Sequence, residues 1–330
     1  MAKKEFGLVA VGNALVDVLA LTDEASFGKL AQQFNMQRGA MNGISAERGN
    51  QLHAAMGRAT EMPGGSAANS LFGFASFGGK GAFMGKVAGD RFGLVFAGDM
   101  CVQDIHFKTP FHSGTLETGR SYILVTPDKE RTMNTYIGAS ATLSPADMDE
   151  ELIAKSRIML LEGYLFDRPT TKKAFMKAAL AARSAGTKVA FTLSDHNCVL
   201  SHHADFRALA ANHTDILIGN EKEFIRLTSS RDFEMAARRG QKLCDTLAMT
   251  RGAQGVLIID RGQRYDIPAE PAQVVDTTGA GDAFAAGFLF GISEGMTPEE
   301  AGKLGAKAAS RTIGHVGARL PGAKNSDLLL

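Results

Sequence analysis

The chain reads as an α/β protein built on a mostly parallel sheet, on three observations. From about residue 145 onward, short β-branched runs alternate with helical patterns, the order that βαβ units produce. The strand-like runs are apolar, as in a sheet covered on both faces. Of the 330 residues, 45% are hydrophobic and 22% charged, enough to bury a large core and without the composition of disorder. That length is large for one domain, and no repeat, low-complexity tract or flexible linker divides it. One core carrying an appendage is expected.

The opening MAKKEFGLVAVGNALVDVLAL reads as a buried strand, since Asp17 interrupts the apolar run and no cleavage site follows. Residues 22–60 are polar and helix-prone and, together with 106–139, are expected to form most of a small lid. Ser144-Pro145 offers a cap and a first-turn proline; 157–166 reads as a strand and 170–185 as a helix stopped by Gly186. Strands are expected at 188–193, 215–218 and 247–250. The second of these runs into Gly219-Asn220-Glu221-Lys222-Glu223 and a helix, the third into Arg251-Gly252. Residues 255–260 and 264–267 flank an Arg261-Gly262 turn as a hairpin. Gln273–Val275 reads as strand-like, and Thr297-Pro298-Glu299-Glu300 is a capping box opening a helix to about Ile313, with Gly314 beyond it.

A formal net charge of +1, with lysines and arginines scattered, argues against nucleic-acid and membrane-surface partners and for a small molecule. Cys101, Cys198 and Cys244 show neither disulfide nor zinc spacing, and no apolar run reaches the ~18 residues of a membrane span. A soluble, cytoplasmic protein, monomer or homodimer, is expected.

The chemistry concentrates in Asp276-Thr277-Thr278-Gly279-Ala280-Gly281-Asp282-Ala283-Phe284. Small residues at 279–281 leave backbone N–H groups uncovered at a helix N-terminus, where unpaired donors and the helix dipole favour a phosphate. Asp282 beside such a cradle reads either as a general base for an attacking hydroxyl or as a helix-capping acid. Asp17 and Asn69 have the side chains to bond vicinal hydroxyls.

Residues 276–288 match at every fixed position the signature DTxGAGDxFxxGF of the PfkB, ribokinase-like carbohydrate kinases, which the chain therefore resembles. Gly12-Asn13 with Asp17, Gly64-Gly65-Ser66-Ala67-Ala68-Asn69 and the block 85–93 resemble that family's N-terminal segments in order, so the likeness covers nearly the whole chain. It implies a three-layer α/β/α fold with a small β-containing lid, ATP and Mg2+ as cofactors, and leaves open a monovalent cation such as K+. It implies acceptor contacts from Asn13, Asp17, Gly64, Gly65, Ser66 and Asn69, a nucleotide site from Thr250, Gly252, Gly255, Thr277, Gly279, Gly281, Gly317 and Ala318, and a catalytic set of Asp282 with Gly279, Ala280 and Gly281. Asn220 and Glu223 match an NxxE motif that organises magnesium and its waters, and the same two residues also read as a helix cap. Arg131 falls where relatives carry a lid arginine, and also reads as an exposed turn residue.

The GNxLxD opening, the 22–60 insertion and Phe191-Thr192-Leu193-Ser194 are similar to adenosine kinases, with Tyr136, Tyr164 and Phe166 as candidate walls for a base. Thr278 and Ala67-Ala68 depart from that pattern. The resemblance thus implies phosphorylation of a nucleoside 5′ hydroxyl, adenosine first, with Asp282 as base. A sugar kinase acting on ribose, fructose or a 2-keto-3-deoxy sugar acid is the alternative, and a silent nucleoside or sugar sensor a remote one. A dinucleotide-binding dehydrogenase is disfavoured because no GxGxxG follows the first strand.

Overall fold

A computed structural model describes residues 3–322 and 324–329. Its fourteen strands form two sheets. In chain order they are β1 (Phe6–Val11), β2 (Leu15–Leu21), β3 (Met41–Gly43), β4 (Thr60–Gly64), β5 (Gly81–Met84), β6 (His106–Phe107) and β7 (Gly119–Val125). There follow β8 (Arg131–Tyr136), β9 (Ser156–Glu162), β10 (Lys188–Thr192), β11 (Ile216–Asn220), β12 (Thr246–Thr250), β13 (Val256–Asp260) and β14 (Gln263–Ile267).

The large sheet runs β14-β13-β12-β11-β10-β9-β1-β5-β6. It is parallel except for the hairpin edge, where β13 pairs antiparallel with both β12 and β14. Every residue of β1 is buried, because helices cover both faces of the sheet. One face packs the helices Ser66–Ser76, Arg91–Val102, Ala280–Ser293 and Pro298–Ile313 into a core with Leu8, Phe74, Phe96, Phe284 and Phe288. The other holds Met159, Phe175, Phe191, Phe206 and Phe224 beneath Pro169–Ala185 and its neighbours. The result is a three-layer, ribokinase-like α/β/α fold. The last two long helices approach closely because Gly287 has no side chain: a Cβ there would lie 2.8 Å from Leu304 O.

The small sheet runs β3-β8-β7-β2-β4. Segments 22–60 and 106–139 supply β3, β7, β8 and the helices Glu24–Gln33 and Ala46–Ala55, but β2 and nearly all of β4 come from 15–21 and 60–64. Strand β6, inside 106–139, belongs to the large sheet.

Three local expectations need correction. The apolar N-terminal stretch is two strands in two sheets, broken at 12–14, and Asp17 lies on the second. The strand expected over 157–166 ends at Glu162, and Gly163–Asp167 is a 3₁₀ turn. Gln273–Val275 is no strand: it follows the edge strand β14 across Pro268 and Pro271, which cannot donate to a ladder, and Val275 and Asp276 both donate their N–H to Ile313 O.

Candidate active site

Sheet order places the site. The large sheet spreads from β1 through β5 and β6 on one side and through β9 to β14 on the other, so the strand order switches between β1 and β9. Ligands of open α/β sheets sit at the carboxyl ends of strands at such a point. There a cavity of about 590 Å³ opens, floored by loops of the large sheet and roofed by the small one.

The roof follows from the two-residue period of a strand. Leu15 and Asp17 of β2, Ser121 and Ile123 of β7, Met133 and Thr135 of β8, with Ile137 beyond, all line the cavity. Tyr136 is out of phase with them. It lies on the far side, where the Arg120 guanidinium is 5.7 Å from its ring, so it is not a wall of the site. Phe166 is also corrected: the 3₁₀ turn after β9 sends it into the core, edge-on to Phe206 at 5.3 Å. Tyr164 does line the cavity and donates its hydroxyl to Ser194 O at 3.2 Å.

At the floor, Gly279 has φ +72, and a Cβ there would fall 1.9 Å from Ala318 O; around Gly281 nothing stands within 4 Å. The first turn of the helix Ala280–Ser293 is therefore uncovered toward the cavity, which Thr277, Thr278, Gly279, Ala280 and Gly281 all line. Asp282 sits in that turn, yet its hydrogen bonds go to another helix. Ser66 Oγ donates to Oδ1 at 2.6 Å and Asn69 Nδ2 to Oδ2 at 3.2 Å. Burial raises its carboxyl to about 6, against the pull of those two donors.

Asp17 faces it from the roof. Gly64 makes room, since a Cβ there would meet the Asp17 carboxylate at 2.5 Å, and a Cβ at Gly65, which has φ +100, would fall 2.2 Å from Asn13 O. The Asp17 carboxylate accepts no hydrogen bond among the described residues. Burial lifts it to about 6, with Arg131 and Arg319 pulling it down and Asp282 pushing it up.

Glu162, which the sequence reading passed over, ties these parts together. It ends β9, is 1% exposed, and accepts Asn13 Nδ2 at 2.7 Å and Ala67 N at 2.8 Å. Ala67 is in the first turn of the helix Ser66–Ser76, whose Gly65 cap has no side chain, so Glu162 satisfies an orphan donor from across the sheet. Burial raises it to about 7, its hydrogen bonds oppose that, and Asp282 adds to it. An acid closing the apolar run Ile158-Met159-Leu160-Leu161 was the available signal.

Asn220 and Glu223 form a reciprocal cap: Glu223 N donates to Asn220 Oδ1 at 3.0 Å, and Asn220 N to Glu223 Oε2 at 2.8 Å. Both line the cavity as well. Glu223 has no cationic partner among the described residues; burial, then Asp195, raises it to about 7. A buried carboxylate that lines the cavity without a cationic partner among the described residues fits a hard cation such as magnesium.

Thr250 and Ala318 line the cavity, whereas Gly252, Gly255 and Gly317 do not. Gly255, with φ +85, shapes the turn between β12 and β13, and Gly317 donates its N–H to Asp276 Oδ2 at 2.8 Å. Arg131 is neither in the cavity nor exposed: it pairs with the same Asp276 oxygen at 2.5 Å. Burial works against the Asp276 anion, but Gly317, Thr278 and Arg131 hold its carboxyl below the usual range.

The pfkB family carbohydrate kinase model matches residues 8–325. The chain belongs to this family. An adenosine kinase structure from Sinorhizobium meliloti is 39% identical with a TM-score of 0.91, covering 98% of each chain. A probable sugar kinase from Rhizobium etli CFN 42 is 38% identical with a TM-score of 0.90, covering 97% of this chain and 96% of that one. A 5-dehydro-2-deoxygluconokinase from Geobacillus kaustophilus is 28% identical over 281 residues, 80% of this chain and 83% of its own. This PfkB member is thus an ATP-dependent kinase acting on a sugar or nucleoside alcohol. Among its described residues no helix is long and apolar enough to cross a membrane.

Proposed function

We propose that the protein transfers the γ-phosphoryl group of ATP to the 5′ hydroxyl of a nucleoside, adenosine in the first place, with Asp282 as general base. The observation that carries this choice of acceptor is the lining. Five carboxyl side chains line the cavity (Asp17, Glu162, Asp167, Glu223, Asp282), and no lysine, arginine or histidine does among the described residues. An acceptor carrying its own carboxylate would meet like charge from the lining side chains around Asp17, whereas a neutral sugar finds acceptors for its hydroxyls. Leu15, Ile123, Met133 and Ile137 add an apolar roof that a bare sugar leaves unused and the face of a base covers. The likeness to the 39%-identical adenosine kinase supports the same reading.

Asp282 accepts the hydroxyl proton as the new bond to phosphorus forms and the bond to the ADP oxygen breaks. Ser66 and Asn69 hold its two oxygens, and the amides of 279–281 offset charge on the transferring group. Asn220 and Glu223 would hold magnesium through its waters, and the ion would supply neutralisation of the phosphate charge. The small sheet serves as the lid that excludes water from the reacting hydroxyl.

The second reading, a sugar-acid kinase, draws on the 5-dehydro-2-deoxygluconokinase relatives. Phosphate transfer from ATP to adenosine, inosine, guanosine, cytidine, ribose, fructose and 5-dehydro-2-deoxygluconate, compared by kcat/KM, separates the two. Adenosine is expected to rank first, and the sugar acid or a free sugar ranking first overturns the proposal.

A further inference from the structure

Arg319 lies outside every motif of the sequence and outside the cavity lining. Its side chain is 14% exposed. Its guanidinium carbon stands 4.4 Å over the ring of Phe72, one turn beyond Asn69 on the helix Ser66–Ser76. Nη1 donates to Asp99 Oδ2 at 2.6 Å, and Nε donates to Asn69 Oδ1 at 3.3 Å. Asn69 in turn gives its Nδ2 to Asp282. A chain of four side chains therefore runs from the helix Arg91–Val102, through the C-terminal segment, to the carboxylate beside the phosphate cradle.

The chemistry of the links gives this chain a direction. An asparagine amide is ambivalent: turned one way it offers a donor, turned the other an acceptor. Beside a carboxylate only the donor orientation is favourable. A guanidinium carries donors alone and keeps its charge at any working pH, so the atom of Asn69 that faces Arg319 must be the oxygen. The atom facing Asp282 must then be the nitrogen. Asp99 and the Phe72 ring fix the guanidinium in place.

Resting on the reading of Asp282 as base, we propose that Arg319 is a positioning residue that locks the Asn69 amide so that it donates to Asp282 and holds that carboxylate ionised and aimed at the acceptor. The groups facing Asp282 from the packed elements are Asp17 of β2, Glu162 of β9 and Tyr164 of the turn after it. Burial favours the protonated form of Asp282, and the Ser66 and Asn69 donors oppose it. Arg319 also lowers the Asp17 carboxyl through its charge, so its removal acts on the base and on one neighbour in the same sense.

Two readouts test this. The first is the 13C titration of the Asp282 carboxylate in the substrate-free protein, which depends on the hydrogen bond and not on what the carboxylate does in catalysis. In Arg319→Met its midpoint is expected to move up by about one pH unit, since a lost donor to the anion favours the acid form. Arg319→Lys, which keeps a donor-only cation, is expected to restore most of it, and Asp99→Asn to shift it in the same direction as Met by less. In an Asn69→Leu background the Met substitution is expected to add nothing to the midpoint. The second readout is kcat, expected to fall about tenfold in Arg319→Met while KM for ATP holds, the size of one net hydrogen bond.

An Asp282 midpoint that stays put in folded Arg319→Met, whatever happens to kcat, overturns the proposal and leaves Arg319 as an anchor of the C-terminal segment. If Arg319→Met does not fold, Arg319→Lys and Asp99→Asn carry the test by themselves, and unmoved midpoints in both overturn it. A moved midpoint together with an active Asp282→Asn enzyme supports the Arg319 chain and refutes the base, so the two failures are told apart.

Discussion

Asp282→Asn is expected to lower kcat by about 10²–10⁴-fold, the contribution typical of a positioned base, with the thermal midpoint and both KM values nearly unchanged. The substitution keeps the shape of the side chain. Its amide oxygen can still accept from Asn69, which now bonds the carboxylate at 3.2 Å, and its amide nitrogen can donate to the Ser66 hydroxyl, which accepts as readily as it donates. What disappears is the basicity. A capping acid would behave differently, because Asn caps a helix about as well as Asp and the variant would stay active. Gly279 is the cap of the helix, and the Asp282 carboxylate bonds Ser66 and Asn69 of another helix. Such a carboxylate, raised to about 6 by burial, is ionised at neutral pH yet basic enough to take a proton. A folded Asn variant with wild-type kcat and rate-limiting chemistry removes Asp282 from the mechanism.

The second large effect belongs to Asp17→Ala, expected to raise KM for the acceptor by about 10–150-fold, which corresponds to the roughly 1.5–3 kcal/mol of a charge-assisted hydrogen bond. KM for ATP is expected to hold. The asymmetry follows from place: Asp17 hangs from β2 in the roof, and its carboxylate bonds no other described residue. Its removal leaves no donor orphaned in the free protein, so stability is not expected to suffer. An equal loss for ATP, or an unchanged acceptor KM, places the sugar hydroxyls elsewhere.

Much of the floor was legible because its chemistry is contiguous. Asp276 to Asp282 carries the cradle and its acid in one turn, and Asn220 with Glu223 carries both halves of a cap in four residues. The roof was harder. Its walls come from alternate positions of four strands, β2, β3, β7 and β8, and a one-residue phase decides that Thr135 faces the cavity and Tyr136 faces Arg120. An aromatic near the right strand was the natural choice for a base wall, but Phe166 is carried inward by a turn that only the packing of Phe175 and Phe206 explains. Aliphatic roof residues such as Ile123 and Met133 look like ordinary core in a sequence.

Nothing local marks the long-range ties. Glu162 meets Asn13 across 149 positions, and Arg319 meets Asn69 across 250 and Asp99 across 220. Arg131 had two sequence readings, toward the phosphates or exposed, and its buried pairing with Asp276 is neither. A charged residue whose partner lies in another layer of the fold becomes readable only once sheet order has brought the layers together.

The account turns on Asp282 taking the acceptor's proton, and the most direct measurement is single-turnover transfer of the γ-phosphoryl group from ATP to saturating adenosine as a function of pH, in the wild-type protein and in Asp282→Asn. Saturation removes the titration of Asp17 from the profile, since that group acts on acceptor binding. A base must be ionised to work, so the wild-type rate constant is expected to fall on acidification through a midpoint near 6, the value burial gives this carboxyl. The Asn variant is expected to be slow and flat over the same range. A wild-type rate that does not vary between about pH 5 and pH 8, or a variant that keeps both the rate and the midpoint, contradicts the role given to Asp282.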